Sequence, residues 1–277
     1  MFMTHIKQTD IIIVSDWHLG FPGTQTKKIN EFLDALIIQP TLKKIILNGD
    51  IFDLNWARFE KIIQENIVIL KKLVKLNKHG VDIIYTLGNH DPLTAKQINY
   101  VYSIFNKIGR NNIRILPAYQ IKRNDNIYLV IHGQMFDIFI AEHKLLAEWS
   151  DIGYRITIAF DNFLGIALTE TISYFVRRLT KWSIMYEKRC RRYLKKRKYS
   201  AIILGHTHEP KTIEWQVKQK IPFKLSDKIS NYLITNNQLK EKVKKYYFNS
   251  GDWVEPRHCT YIKMDEKGNC TLHYFNN

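Results

Sequence analysis

Acidic residues are scarce in this 277-residue chain: 26 Asp and Glu stand against 42 Lys and Arg, a formal charge of +16. An excess of that size points to an acidic partner, with nucleic acid and an anionic membrane face as the usual candidates. Cysteine is nearly absent too. The three present, Cys190, Cys259 and Cys270, are odd in number and spaced for neither a disulfide framework nor a zinc knuckle. The first residues, Met1 to Asp10, hold no apolar core suited to secretion, and with so few cysteines a reducing, cytoplasmic address is expected. Long apolar runs are also missing. The longest stretch without Lys or Arg, Ile156 to Val176, is interrupted by Asp161 and Glu170. It therefore does not read as a membrane span, although it is long enough to lie on a membrane. Repeats and low-complexity tracts are lacking. The rest, 45% hydrophobic and 25% charged, is ordinary for one α/β domain with an insertion.

Five short apolar runs are present, and each stops at a polar cluster. Ile11 to Val14 precedes Ser15-Asp16, Ile45 to Leu47 precedes Asn48-Gly49-Asp50, and Val81 to Leu87 precedes Gly88-Asn89-His90-Asp91. Ile127 to Ile131 precedes His132-Gly133, and Ala201 to Leu204 precedes Gly205-His206-Thr207-His208. Continuous β-rich runs of this length predict strands buried on both faces. Between them, Trp56 to His79 carries Phe59, Ile62, Ile63, Ile67, Leu70 and Val74 near a 3.6 period, with Gly80 just past the end, and predicts one helix. Thr24 to Ile38 and Leu93 to Ile108 predict two more. Ile138 to Tyr199 has no proline and predicts an inserted helical cap. Its last third, Arg177 to Lys198, holds eleven Lys or Arg in 22 residues against Glu187 alone. Lys211 to Tyr246 stays unassigned, and Tyr261 to Met264 with Cys270 to Tyr274 predicts a closing hairpin.

Strand–helix alternation places ligands at the carboxyl ends of strands, where all five polar clusters fall. They gather five of the ten histidines, His18, His90, His132, His206 and His208, together with Asp16, Asp50 and Asn89. Oxygen and imidazole donors without thiolate suit Mn, Fe, Zn or Mg. Carboxylates and imidazoles converging on one point disfavour one another without a cation, and two cations resolve this if one carboxylate bridges them. Singly each piece is weak, since Asp-x-His arises by chance and Gly-Asp is usually a turn. The weight lies in the five clusters in order, each after a strand.

In that order, across residues 11 to 208, the blocks resemble those of the calcineurin-like metallophosphoesterases. The resemblance implies a four-layered α/β/β/α sandwich, two mixed sheets between helices, as a single domain over 1–277. A helical, basic-aromatic cap at 138–199 would be inserted between the fourth and fifth blocks. It implies two divalent metals, with Asp16, His18, Asp50 and His208 around one, and Asp50 bridging to a second held by Asn89, His132 and His206. His90 is then the group near the leaving oxygen, with Asp91 orienting it. Mn is the first expectation, and Fe, Mg and Zn share these ligands. Within the family, Ser-Asp-Trp-His-Leu-Gly (15–20), Gly-Asp-Ile-Phe-Asp (49–53), Gly-His-Thr-His-Glu-Pro (205–210) and Asn-Ser-Gly-Asp-Trp-Val-Glu (249–255) are similar to the branch of UDP-2,3-diacylglucosamine diphosphatases. Those enzymes of lipid A biosynthesis cut a sugar-nucleotide pyrophosphate to UMP and a lipid phosphate. Two positions depart from that branch. Gln134 stands where an acid is common, and His90 where the best-known members have Arg, so the chain resembles a sister group.

The plain reading of Arg177 to Lys198 is a solvated helix face. Its interleaved Trp182, Met185, Tyr186 and Tyr193, following the apolar Ile156 to Val176, suit an anionic bilayer surface or a nucleic-acid grip. The bilayer is preferred, because a two-tailed lipid substrate needs the apolar half and nucleic acid does not. The expectation is an acyl-chain lid and membrane foot, with Arg177, Arg178, Lys181 and Trp182 at substrate or membrane and the protein peripheral on the inner face of the cytoplasmic membrane. Two alternatives stand beside it: a nuclease or phosphodiesterase holding nucleic acid on the basic cap, and a non-catalytic metal-binding scaffold. Against the scaffold, all seven candidate ligands and His90 are present.

Overall fold

No residue of the first strand reaches water. All four residues of β1 (Ile11–Val14) are buried, Ile11 and Ile13 in one apolar cluster and Ile12 and Val14 in another. That division holds for its whole sheet and fixes the layering. The computed structural model describes residues 10–108, 113–137, 182–220, 240–254 and 259–275. In it, β2 (Lys44–Asn48), β3 (Asp82–Thr86) and β4 (Ile113–Leu116) continue from β1 in parallel, while β10 (Thr260–Met264) and β11 (Cys270–Tyr274) close the other side antiparallel. The second sheet runs β5-β6-β7-β9-β8, from β5 (Tyr119–Arg123), β6 (Asn126–Val130), β7 (Ala201–Leu204), β8 (Lys211–Lys220) and β9 (Lys240–Asn249). Its central three strands are parallel to one another.

Ile11, Ile13, Ile46 and Ile84 from the first sheet meet Val130, Ala201, Ile203 and Phe248 from the second, so one core lies between the sheets. The opposite face of the first sheet, with Ile12, Val14, Ile45 and Ile83, packs under α1 (Thr26–Ile37), α2 (Phe59–Glu65), α3 (Ile67–Lys78) and α4 (Ala95–Ile108). On the outside of the second sheet, Leu129, Ile202, Leu204 and Tyr247 meet α5 (Trp182–Lys195) through Tyr186, Cys190 and Leu194. Helices, sheet, sheet, helix: this is the expected α/β/β/α sandwich.

Several expectations change in detail. The helix read over Trp56 to His79 is two helices broken at Asn66, where φ is −111° and ψ 22°. The Asn66 side-chain amide donates to the Ile62 carbonyl at 2.9 Å, beside the residue's own backbone N–H at 3.0 Å, and the chain leaves helical geometry there. The unassigned stretch contains β8 and β9, paired at ten positions. Of the cap, residues 138–181 lie outside the described residues, and with them Arg177, Arg178 and Lys181. Trp182 opens α5. The described part of the basic run is an outer-layer helix, whose Tyr186, Cys190 and Leu194, spaced by four, are buried against the sheet. Tyr186, read as an interfacial aromatic, is thus a core residue. No helix among the described residues is long and apolar enough to cross a membrane.

Leu194 is fully buried in the outer cluster. Leu194→Ala is expected to lower stability by about 2–5 kcal/mol through the cavity it leaves, read from the denaturant midpoint at unchanged slope.

Candidate metal centre

β1, β2, β3, β6 and β7 each end in one of the polar clusters, and the parallel runs bring those ends to one edge of the sandwich. The backbone there is unusual. Asp16, His18, Asp50, His206 and His208 have φ of 53°, 49°, 52°, 68° and 57°, and Asn124 is the one further non-glycine residue with positive φ among those described. Left-handed backbone costs a non-glycine residue roughly 1–3 kcal/mol and persists where the surroundings enforce it. Small residues make the room. A Cβ on Gly88 would lie 2.1 Å from Asp50 Oδ1, and one on Gly205 would lie 2.3 Å from Asp16 Oδ2.

Three donor groups result among the described residues; His18, Asp53 and His90 form one from the first sheet alone, and the other two sets each draw on both sheets. The first of these two joins Asp16 and His18 to His208: His18 Nε2 lies 3.2 Å from His208 Nε2, and His208 Nε2 lies 3.3 Å from Asp16 Oδ1. The second joins Asp50 to His132 and His206, with His132 Nε2 3.0 Å from Asp50 Oδ2 and Asn89 Oδ1 3.1 Å from His206 Nδ1. Asp16 Oδ1 reaches to 4.0 Å from His132 Nε2, so the sets adjoin. All seven sequence-derived ligand positions are therefore gathered.

The hydrogen bonds behind these donors fix which atoms face inward. His132 Nδ1 donates to the Asn48 carbonyl at 3.0 Å, which turns Nε2 toward the site. That nitrogen is buried without a hydrogen bond, although Asp50 Oδ2 is 3.0 Å away. A buried ring nitrogen beside a carboxylate and without a hydrogen bond is one that a cation satisfies by displacing its proton, and the donors present fit one. His18 Nδ1 donates to Asp53 Oδ2 at 3.1 Å, His206 Nε2 meets Asp137 Oδ2 at 3.1 Å, and His208 Nδ1 lies 3.8 Å from Asp252 Oδ2. Asp50 Oδ1 accepts the His90 backbone N–H at 2.8 Å, and Asp16 accepts that of His206 at 3.2 Å.

Asp53 and Asp137 were missed as site residues in the sequence. Their signal was a second carboxylate closing each block, Gly49-Asp50-Ile51-Phe52-Asp53 and His132 to Asp137. The reading of Asp91 changes as well. Its carboxylate accepts the Ile51 and Gly88 N–H groups and the Tyr85 hydroxyl, so it holds the loop and does not orient the His90 ring. That ring has Asp53 Oδ1 at 3.3 Å and the Asn55 amide at 3.1 Å, both at Nδ1. Gln134 folds back on its own loop, accepting the Gly133 N–H at 3.1 Å. The Tyr186 hydroxyl donates to the Gly133 carbonyl at 3.0 Å and its ring lies 6.0 Å from that of His206, so α5 braces this loop.

Charge follows the geometry. Burial disfavours an ionised Asp16, yet His132, His18 and His208 outweigh it and hold the carboxyl well below the usual range. Against burial, His132, His90 and His18 lower Asp50, and His18 and His90 lower Asp53. Burial opposes charge on His132 too, and Asp50 and Asp16 overcome it, lifting the imidazole to about 9. Burial lowers His206 despite Asp137. His90 is raised, Asp50 and Asp53 together exceeding the effect of burial. Burial and the nearby Asp50 push Asp91 up to about 6.

The sequence profile of the calcineurin-like phosphoesterases matches residues 9–210. The chain belongs to that family. As a calcineurin-like phosphoesterase it is a metal-dependent phosphohydrolase, in a family that depends on two metals. Curated proteins offer no sequence match. Among solved structures it is similar to a novel archaeal phosphodiesterase, with 16% identity, 95% of this chain and 98% of that one covered, and a TM-score of 0.42. A dimetal phosphatase from Danio rerio shows 9% identity, coverage of 97% and 99%, and a TM-score of 0.43. The nuclease MPE of Pseudomonas putida shows 18% identity, coverage of 44% and 53%, and a TM-score of 0.31. These likenesses are remote, and membership in the calcineurin-like phosphoesterases rests on the sequence match.

In the metal-free protein His132 keeps its extra proton up to about pH 9, and a cation must displace that proton. Metal affinity is therefore expected to climb from pH 6 toward pH 9 and level off above it, with proton release near neutrality. Titration calorimetry in buffers of different ionisation enthalpy measures both. Asp137→Asn, which removes a carboxylate behind His206, is expected to weaken metal binding by about 10–100-fold at unchanged fold.

Proposed function

We propose that this phosphoesterase hydrolyses the diphosphate of UDP-2,3-diacylglucosamine, or of a similar nucleotide-linked lipid, to UMP and a lipid phosphate. The observation that carries the hydrolytic reading is the pair of adjoining donor sets, with the inward-facing His132 nitrogen between carboxylates. Asp16, His18 and His208 would hold one divalent cation, and His132, His206 and Asn89 a second, with Asp50 shared between them. Manganese is the first choice for carboxylate, imidazole and amide oxygen donors, ahead of iron, magnesium and zinc. When bound, two such ions supply Lewis acidity at the phosphorus centre.

The chain's own groups do the rest. His90 stands beside both sets with its side chain one-quarter exposed, which opens it to substrate. In the protonated ring Nδ1 donates to Asp53, and the raised basicity of the ring favours a proton at Nε2 for the departing oxygen. Support for the lipid comes from the sequence blocks shared with the diphosphatase branch and from apolar surface near the site. Met135, three residues beyond His132, is half exposed, as are Ile184 and Met185 beside Ser183, whose hydroxyl donates to Glu209 next to His208. Such side chains suit acyl chains presented from the cytoplasmic face of an anionic bilayer. Trp182 begins this same turn of helix.

The test is UMP release from UDP-2,3-diacylglucosamine by manganese-loaded protein. Release is expected from the wild type, with His206→Ala slower by more than about a hundredfold, since even partners behind a ligand cost 10–100-fold. Cleavage of bis-p-nitrophenyl phosphate without UMP release would retain the chemistry and discard the substrate. Inactivity on both would leave the non-catalytic scaffold.

A further inference from the structure

The chain's positive charge is gathered at one place. Residues 188–198, 211–220 and 240–249 contain fifteen of the 42 basic residues and two of the 26 acidic ones, and so carry thirteen of the sixteen net charges. The fold packs these segments side by side, and from their ends near the metal centre they run away from it. α5 starts by the site, where Ser183 meets Glu209, and ends at Lys195, from where the chain reaches Tyr199 and Ser200 at the amino end of β7. β8 leaves the site at Lys211, opposite Asn249, and ends at Lys220 opposite Lys240. β9 pairs with β7 only from Tyr246 onward, so six pairs of β8 and β9 continue as a two-stranded ribbon. At about 3.4 Å per residue the ribbon reaches roughly 20 Å past the end of β7. Arg191 donates to the Gln216 carbonyl at 3.1 Å, tying helix to ribbon.

Arg191, Arg192 and Lys195 on the helix, Lys196 just past its end, and Lys218 and Lys242 on the ribbon are exposed, and none has a carboxylate ion-pair partner among the described residues. The amino end of the other sheet differs. There Lys43 pairs with Asp10 and Glu266, and Lys44 with Asp82. We propose that this basic pole, at the end of the fold opposite the metal centre, is a docking surface for the phosphate backbone of double-stranded nucleic acid.

A bilayer is the other polyanion to consider, and two observations disfavour it. No large exposed apolar side chain occurs between Lys188 and Lys195 or on the described ribbon, and the apolar side of α5 is spent on the sheet, whereas a helix lying in a bilayer interface buries an apolar face there. A membrane on this pole would also turn the metal centre away from the lipid. A nucleic-acid backbone needs only closely spaced cations, and a two-stranded ribbon is of a width that enters a major groove. The inference stands apart from the choice of substrate, because none of these residues belongs to the metal site.

The experiment is fluorescence anisotropy of a labelled 20-base-pair DNA duplex of arbitrary sequence, titrated with the full chain. Binding is expected to weaken on the order of a hundredfold between about 50 and 200 mM salt, as about four phosphate contacts imply. Arg192→Glu with Lys196→Glu, and separately Lys218→Glu with Lys242→Glu, are each expected to reduce affinity at least tenfold while bis-p-nitrophenyl phosphate hydrolysis is unchanged. The milder Arg192→Gln with Lys196→Gln, should the reversals unfold the protein, is expected to shallow the salt slope by about 1–2. Absent duplex binding, or binding indifferent to these changes, would overturn the proposal. So would tighter binding to phosphatidylserine vesicles that the same substitutions abolish.

Discussion

The convergence of buried carboxylates and imidazoles at the carboxyl ends of five strands is the constraint around which this molecule is organised. Each cluster sits where a parallel strand ends, and three of them, at Asp16 and His18, at Asp50, and at His206 and His208, are bent into left-handed backbone that non-glycine residues adopt only when held there. The outer hydrogen bonds, from Asn48, Asp53 and Asp137, spend one ring nitrogen of His132, His18 and His206 and point the other inward. What remains in the middle is an excess of lone pairs that protons satisfy poorly and divalent cations satisfy well. The strands supply position, the loops supply strain, and the second carboxylates supply direction.

Much of this was legible in the sequence because the physics that makes a buried strand is local and simple. Ile11 to Val14 and Ala201 to Leu204 are apolar at every position, since both faces are covered. The polar clusters that follow could not be core, and their order identified a site. Other parts were hidden. Asn66 interrupts a helix through a side-chain bond that competes with the backbone, which periodicity does not register. β8 and β9 alternate between an apolar face carrying Ile213, Trp215 and Val217 and a polar one, but lysine on the open side masks the pattern. Asp53 and Asp137 act at one remove from the centre, and single polar residues after an apolar stretch look like turn formers. The partner of the His90 ring follows from three-dimensional approach, and adjacency in sequence pointed to Asp91 instead.

The outer helix α5 shows how one segment serves two purposes. Its buried side closes the fourth layer, and through Tyr186 it braces the loop bearing His132 and packs near His206. Beyond Glu187 its open side is cationic. Composition reported the charge without its address, whereas the fold places it at the far end of the sandwich and leaves the neighbourhood of the metals with isolated apolar side chains.

The two adjoining donor sets, around Asp16 and around Asp50, each take ligands from both sheets, and the pair His18 and His208 is separated by 190 positions along the chain. A cation held there would be a rivet across the seam between two halves that otherwise meet mainly through the apolar core and a few polar ties. Assembly of the centre must then come late, after the sheets have met, so metal uptake would report completed docking and not the formation of either half. Riveting of this kind adds stability by mass action in proportion to the logarithm of free metal. Chelation would loosen the sandwich from its catalytic edge first, where the sheets are joined by ligands, and last at the amino ends, where Arg123 and Asp10 tie the two sheets directly.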